Sequence, residues 1–187
     1  MSRQATELPE RPVGVPGAEV SERKRTSLGL YVTSQEAYAM WKGEPERVKI
    51  IDVRTPEEYV FVGHAGMAMN IPLIFMDYGW DTDKNEPIVE PNPGFMSRVE
   101  EVFAPTDTLL VMCRSGGRSA LAVNALAKAG FERVYNIIDG MEGDKVEEPG
   151  SVFHGKRMKN GWKNSGSPWT YDCEPTLLWR TPAPVGH

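Results

Sequence analysis

The part of the sequence best suited to chemistry is a cysteine that follows an apolar segment and precedes a loop rich in glycine and arginine. The short apolar segment Thr108–Met112 predicts a buried strand. Ala120–Ala129 predicts a helix that ends at Gly130. Cys113 lies directly after the strand. Because α/β proteins bind ligands at the carboxyl ends of parallel strands, the sequence predicts a reactive thiol at that edge of a sheet.

The loop between Cys113 and this helix has the composition of an anion-binding site. Gly116 and Gly117 allow successive backbone N–H groups to converge on one point. The N-terminus of the following helix directs its free N–H groups toward the same place, and Arg114 and Arg118 add positive charge. These features favour a thiolate at Cys113 at neutral pH, and they would also stabilise a persulfide. Such a nucleophile needs no histidine base, and no papain-type Cys/His pair is evident.

The remaining cysteine and the histidines show no metal-binding pattern. Cys113 and Cys173 are the two cysteines, and they are too few and too far apart for a disulfide framework or for zinc-ligand spacing. His64, His154 and His187 are isolated, and we predict that they are surface or capping residues. We therefore expect no metal and no organic cofactor. Cys173 could resolve a Cys113 persulfide as a disulfide only if the two Cα atoms lie within about 7 Å.

The overall composition limits the function classes. A chain of 187 residues with 40% hydrophobic and 25% charged residues fits one domain with tails or long loops. The net charge of −5 argues against a nucleic-acid or anionic-membrane partner, because either needs a concentrated basic face. No apolar run is long enough to span a bilayer, and Met1–Arg25 lacks the apolar stretch of a signal peptide. The expected location is cytoplasmic, although removal of a leader peptide would leave the same sequence.

Short apolar segments alternate with helical ones through the middle of the chain. Strands are predicted at Gly29–Val32, Val48–Val53, Ala68–Ile71, Thr108–Met112 and Arg133–Ile138. Helices are predicted after the capping boxes Thr33–Glu36 and Thr55–Glu58, at Phe95–Phe103 and at Ala120–Ala129. This alternation predicts an α/β domain built on a parallel sheet.

Three regions are predicted along the chain. Residues 1–27, rich in Pro, Glu and Arg, are predicted to be a flexible N-terminal tail, with a docking arm as the alternative. Residues 28–140 form the domain, and within it Asp77–Gly94 is predicted to be a long loop. Residues 141–187 are predicted to be an extension that packs on the domain through aromatic anchors.

Several motifs occur in the order found in the rhodanese family. Asp52 and Arg54 resemble its D-x-R motif, and Cys113–Ser119 is similar to its active-site loop. Three further segments resemble family motifs: Gly63–Pro72, Tyr135–Met141 and Gly161–Trp169. The resemblance covers roughly residues 30–171. It implies the rhodanese fold, in which helices flank both faces of a central parallel sheet.

The resemblance also implies roles for individual residues. Cys113 would be the catalytic nucleophile that accepts the sulfur atom. The substrate-binding residues would be Arg114, Ser115, Gly116, Gly117, Arg118 and Ser119. Asp52 and Arg54 are predicted to give structural support, because an acid and an arginine at a strand end hold neighbouring loops together. His64 and Asn70 are likewise predicted to support turns and loops.

The implied activity is sulfur transfer. A sulfurtransferase of this type would move a sulfane sulfur from thiosulfate or a related donor to cyanide, a thiol or a protein acceptor. Four residues separate Cys113 from Arg118, one fewer than in the phosphatases and arsenate reductases that share the fold. The shorter loop disfavours an oxyanion enzyme. A non-enzymatic persulfide carrier, or a sulfide-responsive module that docks with a protein partner, remains the alternative.

Two segments exceed a minimal rhodanese: Asp77–Gly94 and Glu142–Lys159. The second contains Lys156, Arg157 and Lys159. These cations either face the active site and attract an anionic donor or form an ordinary solvated charge run. The sequence leaves open whether this segment covers the active site as a lid.

Overall fold

The computed structural model describes residues 20–180, so residues 1–19 and 181–187, with His187, lie outside the described residues. The described range contains seven strands: β1 (Tyr31–Val32), β2 (Val48–Asp52), β3 (Met69–Asn70), β4 (Ile74–Asp81), β5 (Glu86–Pro91), β6 (Thr108–Met112) and β7 (Val134–Ile137). The α-helices are α1 (Ser34–Gly43), α2 (Phe95–Val102) and α3 (Gly117–Lys128). Shorter elements are 3₁₀ turns at Glu22–Lys24 and Trp162–Asn164 and a π-helical turn at Glu58–Val62.

Five strands form one parallel sheet in the order β1-β7-β6-β2-β3. Side chains on β2 and β6 alternate between its faces. Ile51 and Val111 point to the core that includes residues of α2 and α3, whereas Ile50 and Leu110 point to the core that includes α1 and Trp162. Helices therefore cover both faces of the sheet, which confirms the predicted α/β class.

The local signals in the sequence correspond to real helix starts. Thr33 and Glu36 form a complete capping box at α1. At the second predicted box, the Thr55 N–H donates to Glu58 Oε2 at 3.2 Å and the Glu58 N–H donates to Thr55 Oγ1 at 3.3 Å. These reciprocal bonds satisfy backbone donors that a helix start leaves free.

The predicted long loop Asp77–Gly94 is wrong for most of its length. β4 and β5 form an antiparallel hairpin that pairs with no other strand in the described part of the chain. Pro87 and Pro91 are compatible with it because both strands are edges, where a missing N–H faces no partner. The hairpin exposes apolar side chains, among them Tyr78, which is fully exposed, and Trp80, which is 56% exposed.

The predicted flexible tail is also wrong where the structure describes it. Val20 and Lys24 are buried, and Lys24 Nζ lies 2.9 Å from Asp144 Oδ1. The Lys24 carbonyl accepts a hydrogen bond from Asn136 at 2.9 Å. The last residues before the domain are thus fixed against β7 and the C-terminal extension.

Candidate active site

The sulfur of Cys113 lies at the carboxyl edge of the sheet, directly after β6. The residue is 2% exposed. The Gly116 N–H donates to its Sγ at 3.2 Å, and Ser119 Oγ lies 3.4 Å from it. Because Gly116 precedes the first residue of α3, the N-terminus of this helix lies beside the sulfur. Backbone and hydroxyl dipoles of this kind stabilise negative charge on sulfur.

The loop backbone requires two glycines. Gly116 has a φ of +93°, and a Cβ there would overlap the carbonyl of Ile138. Gly140, with a φ of +59°, packs against the carbonyls of Cys113 and Arg114 in the same way. These carbonyls accept hydrogen bonds from Met141 at 2.8 Å and Glu142 at 2.9 Å. The segment after β7 therefore holds the loop from outside.

A buried amide supports the hydroxyl that contacts the sulfur. Asn136 Oδ1 accepts from Ser119 Oγ at 2.7 Å, and its Nδ2 donates to the Gly116 carbonyl at 3.0 Å. Asn136 is fully buried on β7. No role was predicted for Asn136 from the sequence, although it lies in Tyr135–Met141, which resembles a family motif. Asn136 connects both residues that bond to the Cys113 sulfur.

Arg118 makes its strongest bonds away from the sulfur. Its two terminal nitrogens donate to the two carboxylate oxygens of Glu58 at 2.6 and 2.7 Å. Burial alone would raise the pKa of Glu58, but the hydrogen bonds and charge of Arg118 outweigh burial and hold that pKa below its ordinary value. The Arg118 charge is thus largely balanced by Glu58, a partner that was not predicted from the sequence.

The other loop residues surround the thiol in different ways. Arg114 is exposed, Ser115 is buried, and Gly117 is the first residue of α3. Arg114 is the exposed cation next in sequence to Cys113. Of the six predicted substrate-binding residues, the structure places Gly116 and Ser119 in contact with the sulfur. The binding roles of all six remain predictions.

Asp52 and Arg54 form a fully buried ion pair at the end of β2, with 2.6 Å between Arg54 Nη2 and Asp52 Oδ2. Arg54 also donates to the Gly63 carbonyl at 2.8 Å. Asn70 Nδ2 donates to the carbonyls of Asp52 and Arg54. These contacts join the end of β2, the Gly63 turn and β3, as a supporting role requires.

His64 is not on the surface, so the prediction of a surface position is wrong, whereas its contacts agree with the predicted support of turns and loops. It is 1% exposed, stacks on Tyr59 with ring centroids 3.8 Å apart, and its Nδ1 lies 3.0 Å from the Tyr59 carbonyl. Its backbone pairs with Thr170 through two hydrogen bonds. A Cβ on neighbouring Gly63 would overlap the ring of Trp169. This buried histidine therefore anchors the C-terminal extension.

Both cysteines are free thiols. Cys173 is half-buried, and its thiol lies 3.5 Å from the Tyr171 carbonyl. Within residues 20–180, no group of three or more His, Cys, Asp or Glu side chains could hold a metal ion. No helix in this described range has the length and apolar character needed to cross a membrane.

Fold and site together define an α/β protein with a cysteine-centred loop at the carboxyl edge of a parallel sheet. The family model of the rhodanese-like domain matches the sequence of this chain over residues 33–147. The chain belongs to this family, as the sequence motifs predicted, and the match supports membership of a sulfurtransferase family.

Individual relatives agree with this assignment. Thiosulfate sulfurtransferase 16, chloroplastic, of Arabidopsis thaliana is 39% identical over 92 residues, which cover 49% of this chain and 69% of that protein. An uncharacterized protein of Rickettsia conorii is 30% identical over 140 residues, covering 75% of this chain and 96% of that protein. The crystal structure of Rv0390 from M. tuberculosis has a TM-score of 0.58 and 26% identity, covering 75% of this chain and 96% of that one.

Proposed function

We propose that this protein is a thiosulfate sulfurtransferase that carries sulfur as a persulfide on Cys113. The observation that supports this most directly is the environment of the sulfur, which accepts a hydrogen bond from Gly116 and lies beside the hydroxyl of Ser119. Donors of this kind stabilise negative charge that develops on sulfur. The sulfurtransferase named among the relatives supports the same reaction class.

The proposed reaction has two steps. The Cys113 thiolate attacks the outer sulfur of thiosulfate, the sulfur–sulfur bond of the donor breaks, and sulfite leaves with the bonding electrons. A thiophilic acceptor, cyanide or a thiol, then attacks the outer sulfur of the persulfide and restores the Cys113 thiolate. The loop holds negative charge on sulfur in both steps, so no metal or organic cofactor takes part.

Intact-protein mass spectrometry after incubation with thiosulfate tests the proposal. The wild-type protein should gain the mass of one sulfur atom, and cyanide should remove it. Cys113→Ser should gain none, whereas Cys173→Ser, the matched control for the other thiol, should gain it like the wild type. If wild-type protein gains no sulfur from thiosulfate or from polysulfide, the sulfurtransferase proposal is wrong.

A second candidate, a persulfide carrier that docks with a protein partner, is favoured by the β4–β5 hairpin. Its exposed Tyr78 and Trp80 give an apolar surface that a partner can bury. Slow turnover with thiosulfate, together with stoichiometric persulfidation of Cys113 by a protein donor, would favour the carrier over the enzyme.

A further inference from the structure

The β4–β5 hairpin has an apolar face that is open to solvent in the described structure. Met76 pairs with Val89 across the two strands. Trp80 pairs with Pro87, and because Pro87 and Val89 are alternate residues of β5, all four side chains share one face. Met76, Trp80 and Val89 are exposed. A sheet face of this composition is normally buried against another element.

The same hairpin is strongly acidic. Residues 74–91 contain one lysine, Lys84, and five carboxylates: Asp77, Asp81, Asp83, Glu86 and Glu90. Asp81 pairs with Lys84 at 3.1 Å, and no other salt bridge among residues 20–180 involves a carboxylate of the hairpin. Since neighbouring strands lie only about 5 Å apart, these acids border the apolar face. A complementary surface would combine apolar side chains with positive charge.

Another surface of this chain has that composition. We call it the basic loop, residues 152–159. Its apolar side chains are exposed: Val152, Phe153 and Met158. It contains no Asp or Glu, and three cations: Lys156, Arg157 and Lys159. None of these cations forms a salt bridge with another residue of the described range, so their charge is available to an acidic partner.

The basic loop also has a recess that can receive an aromatic side chain. Arg157 and Lys159 line a cavity of about 580 Å³, together with Arg23 of the N-terminal turn. Tyr78 of the hairpin is fully exposed and Trp80 is exposed. Aromatic rings inserted into such recesses often dominate the energy of an interface, and they also stack on cations.

The hairpin and the basic loop belong to different ends of the sheet. The hairpin follows β3 at one edge, whereas the basic loop follows β7, which lies three strands away from β3. The basic loop is fixed by its own neighbours: the Val146 N–H donates to the Lys156 carbonyl at 2.9 Å, and the Gly155 N–H donates to the Val146 carbonyl at 2.8 Å. The loop therefore presents a formed surface that the hairpin of a second copy can approach.

The ends of the chain that lie outside the described range do not match the hairpin in charge. Residues 1–19 contain three Glu and two Arg, and residues 181–187 contain no Asp, Glu, Lys or Arg. Neither segment supplies the positive charge that would balance the hairpin.

Two hairpins are poor partners for each other. Each carries five carboxylates and one lysine, so two hairpins brought face to face would repel one another. Pro87 and Pro91 lack the N–H donors that a further strand along β5 would use. The complementary surface that the chain itself contains is thus the basic loop.

We propose that the protein forms a two-fold symmetric dimer in which the hairpin of each copy packs on the basic loop of the other. The two copies make the same contact twice, which closes the dimer. The apolar face of the hairpin covers the apolar side chains of the basic loop, and the surrounding carboxylates lie near Lys156 and Lys159. This inference goes beyond the proposed sulfur chemistry and does not depend on it.

Sedimentation velocity of the 187-residue chain over a range of concentrations tests the proposal. The wild type should show a species of twice the monomer mass whose fraction grows with concentration. The hairpin variant Asp83→Lys/Glu86→Lys/Glu90→Lys makes the hairpin basic. The loop variant Lys156→Glu/Lys159→Glu makes the basic loop acidic. Each should raise the dimer dissociation constant by roughly tenfold or more, because the charges no longer complement one another. All five side chains are exposed, so both variants should fold.

Mixing the two variants should restore the dimer. In a mixed pair, the unchanged hairpin of the loop variant meets the unchanged basic loop of the hairpin variant. At the other contact, a basic hairpin meets an acidic loop, so both contacts are again complementary. The dissociation constant of the mixed pair should approach that of the wild type.

Two controls separate this contact from general effects of charge and of exposed apolar surface. Lys42→Glu/Lys128→Glu changes the net charge as the loop variant does, at the exposed ends of α1 and α3, and should dimerise like the wild type. Trp80→Ala should weaken the dimer by roughly tenfold or more. Leu121→Ala, at an exposed apolar residue of α3, should leave it unchanged.

Four results would overturn the proposal. A wild-type protein that stays monomeric at millimolar concentration would exclude the dimer. Weakening by the hairpin variant alone would show that the hairpins pair with each other. Equal weakening by the loop variant and by Lys42→Glu/Lys128→Glu would show an effect of net charge. A monomer that binds a cationic protein through its hairpin would assign this surface to a different partner.

Discussion

At the scale of single residues, the sulfur of Cys113 contacts two neutral donors, while Arg118, one of the two arginines that follow it, is bonded elsewhere. Gly116 and Ser119 contact Sγ, and Arg118 bonds to both oxygens of Glu58. In the proposed reaction, these neutral dipoles would keep their orientation when the sulfur gains or loses its extra atom. The arginine contributes mainly by holding the loop against the Glu58–Val62 turn.

Replacing Gly116 with alanine should abolish persulfide formation. The left-handed backbone alone costs a residue with a Cβ about 1–2 kcal/mol, and the added atom would overlap the Ile138 carbonyl. The loop must then shift away from the sulfur. Persulfide yield after thiosulfate treatment measures the effect.

Gly117→Ala is the control for this substitution. A Cβ on Gly117 meets no atom within 4 Å, and its backbone is not in the left-handed region. Gly117→Ala should load sulfur as the wild type does. Equal loading by the two variants would show that the Gly116 backbone is not needed.

Replacing Glu58 with glutamine should destabilise the protein at neutral pH and have less effect in acid. The folded-state pKa of Glu58 lies below its ordinary value of 4.5, so its ion pair stabilises the fold fully above that value. This contribution is lost as pH falls through the folded-state pKa. The variant should lose about 1–3 kcal/mol at neutral pH, measured by urea denaturation.

The control for Glu58→Gln is a substitution at a carboxylate that has no arginine partner among the described residues. Glu57 is exposed and adjacent, and Glu57→Gln should match the wild type at every pH. A stability gap between Glu58→Gln and wild type that stays constant down to acid pH would contradict the assigned ion pair.

At the scale of elements, the sequence predicted best where local signals decide the structure. β6, the Cys113 loop and α3 follow one another along the chain, and their apolar run and glycines are sufficient to locate them. The capping boxes at Thr33 and Thr55 are equally local. The β4–β5 hairpin was missed because its prolines and glycine predict a loop, although edge strands tolerate them.

The contacts that were not predicted from the sequence join residues that lie far apart along the chain. Glu58 was located as a capping residue, but its pairing with Arg118 joins positions 60 apart. Lys24 was assigned to a flexible tail because its partner Asp144 is 120 positions away. Composition predicts disorder for a Pro- and Glu-rich segment, and only the folded chain supplies the carboxylate that pairs with Lys24.

Shortening the hairpin should leave the chemistry intact. Met76 pairs with Val89 across β4 and β5, so an Asn-Gly turn can replace residues 77–88 and join the two strands. Persulfide formation from thiosulfate should stay within about twofold of the wild type, because the strands pair only with each other in the described chain. A large loss in the mass-spectrometric assay would show that the hairpin contributes to the active site.

At the scale of the whole molecule, the C-terminal extension is part of the core. Trp162 is fully buried, packs edge-on against Tyr38 of α1, and donates to the Pro168 carbonyl at 2.9 Å. Further along, the Asn70 N–H of β3 donates to the Leu177 carbonyl. The extension therefore closes the face and the edge of the sheet that the domain leaves open.

Replacing each of two tryptophans in this extension with alanine should lower the stability of the protein by very different amounts. Trp162→Ala should cost about 3–5 kcal/mol, since it leaves a cavity in the core. Trp169 is 37% exposed and lies under Lys163, whose Nζ is 4.0 Å from the ring centroid. Trp169→Ala should cost about 1–2 kcal/mol. Urea midpoints of the two variants give the comparison, and equal losses would contradict a core role for Trp162.

The two ends of the hairpin lie side by side, with Ile74 opposite Pro91. A single insertion, deletion or exchange can therefore change the β4–β5 hairpin without altering the sheet that holds Cys113. We expect related proteins from a common ancestor to keep the Cys113 loop and to differ in this hairpin. The Cys113 loop and the β4–β5 hairpin can thus change independently in this chain.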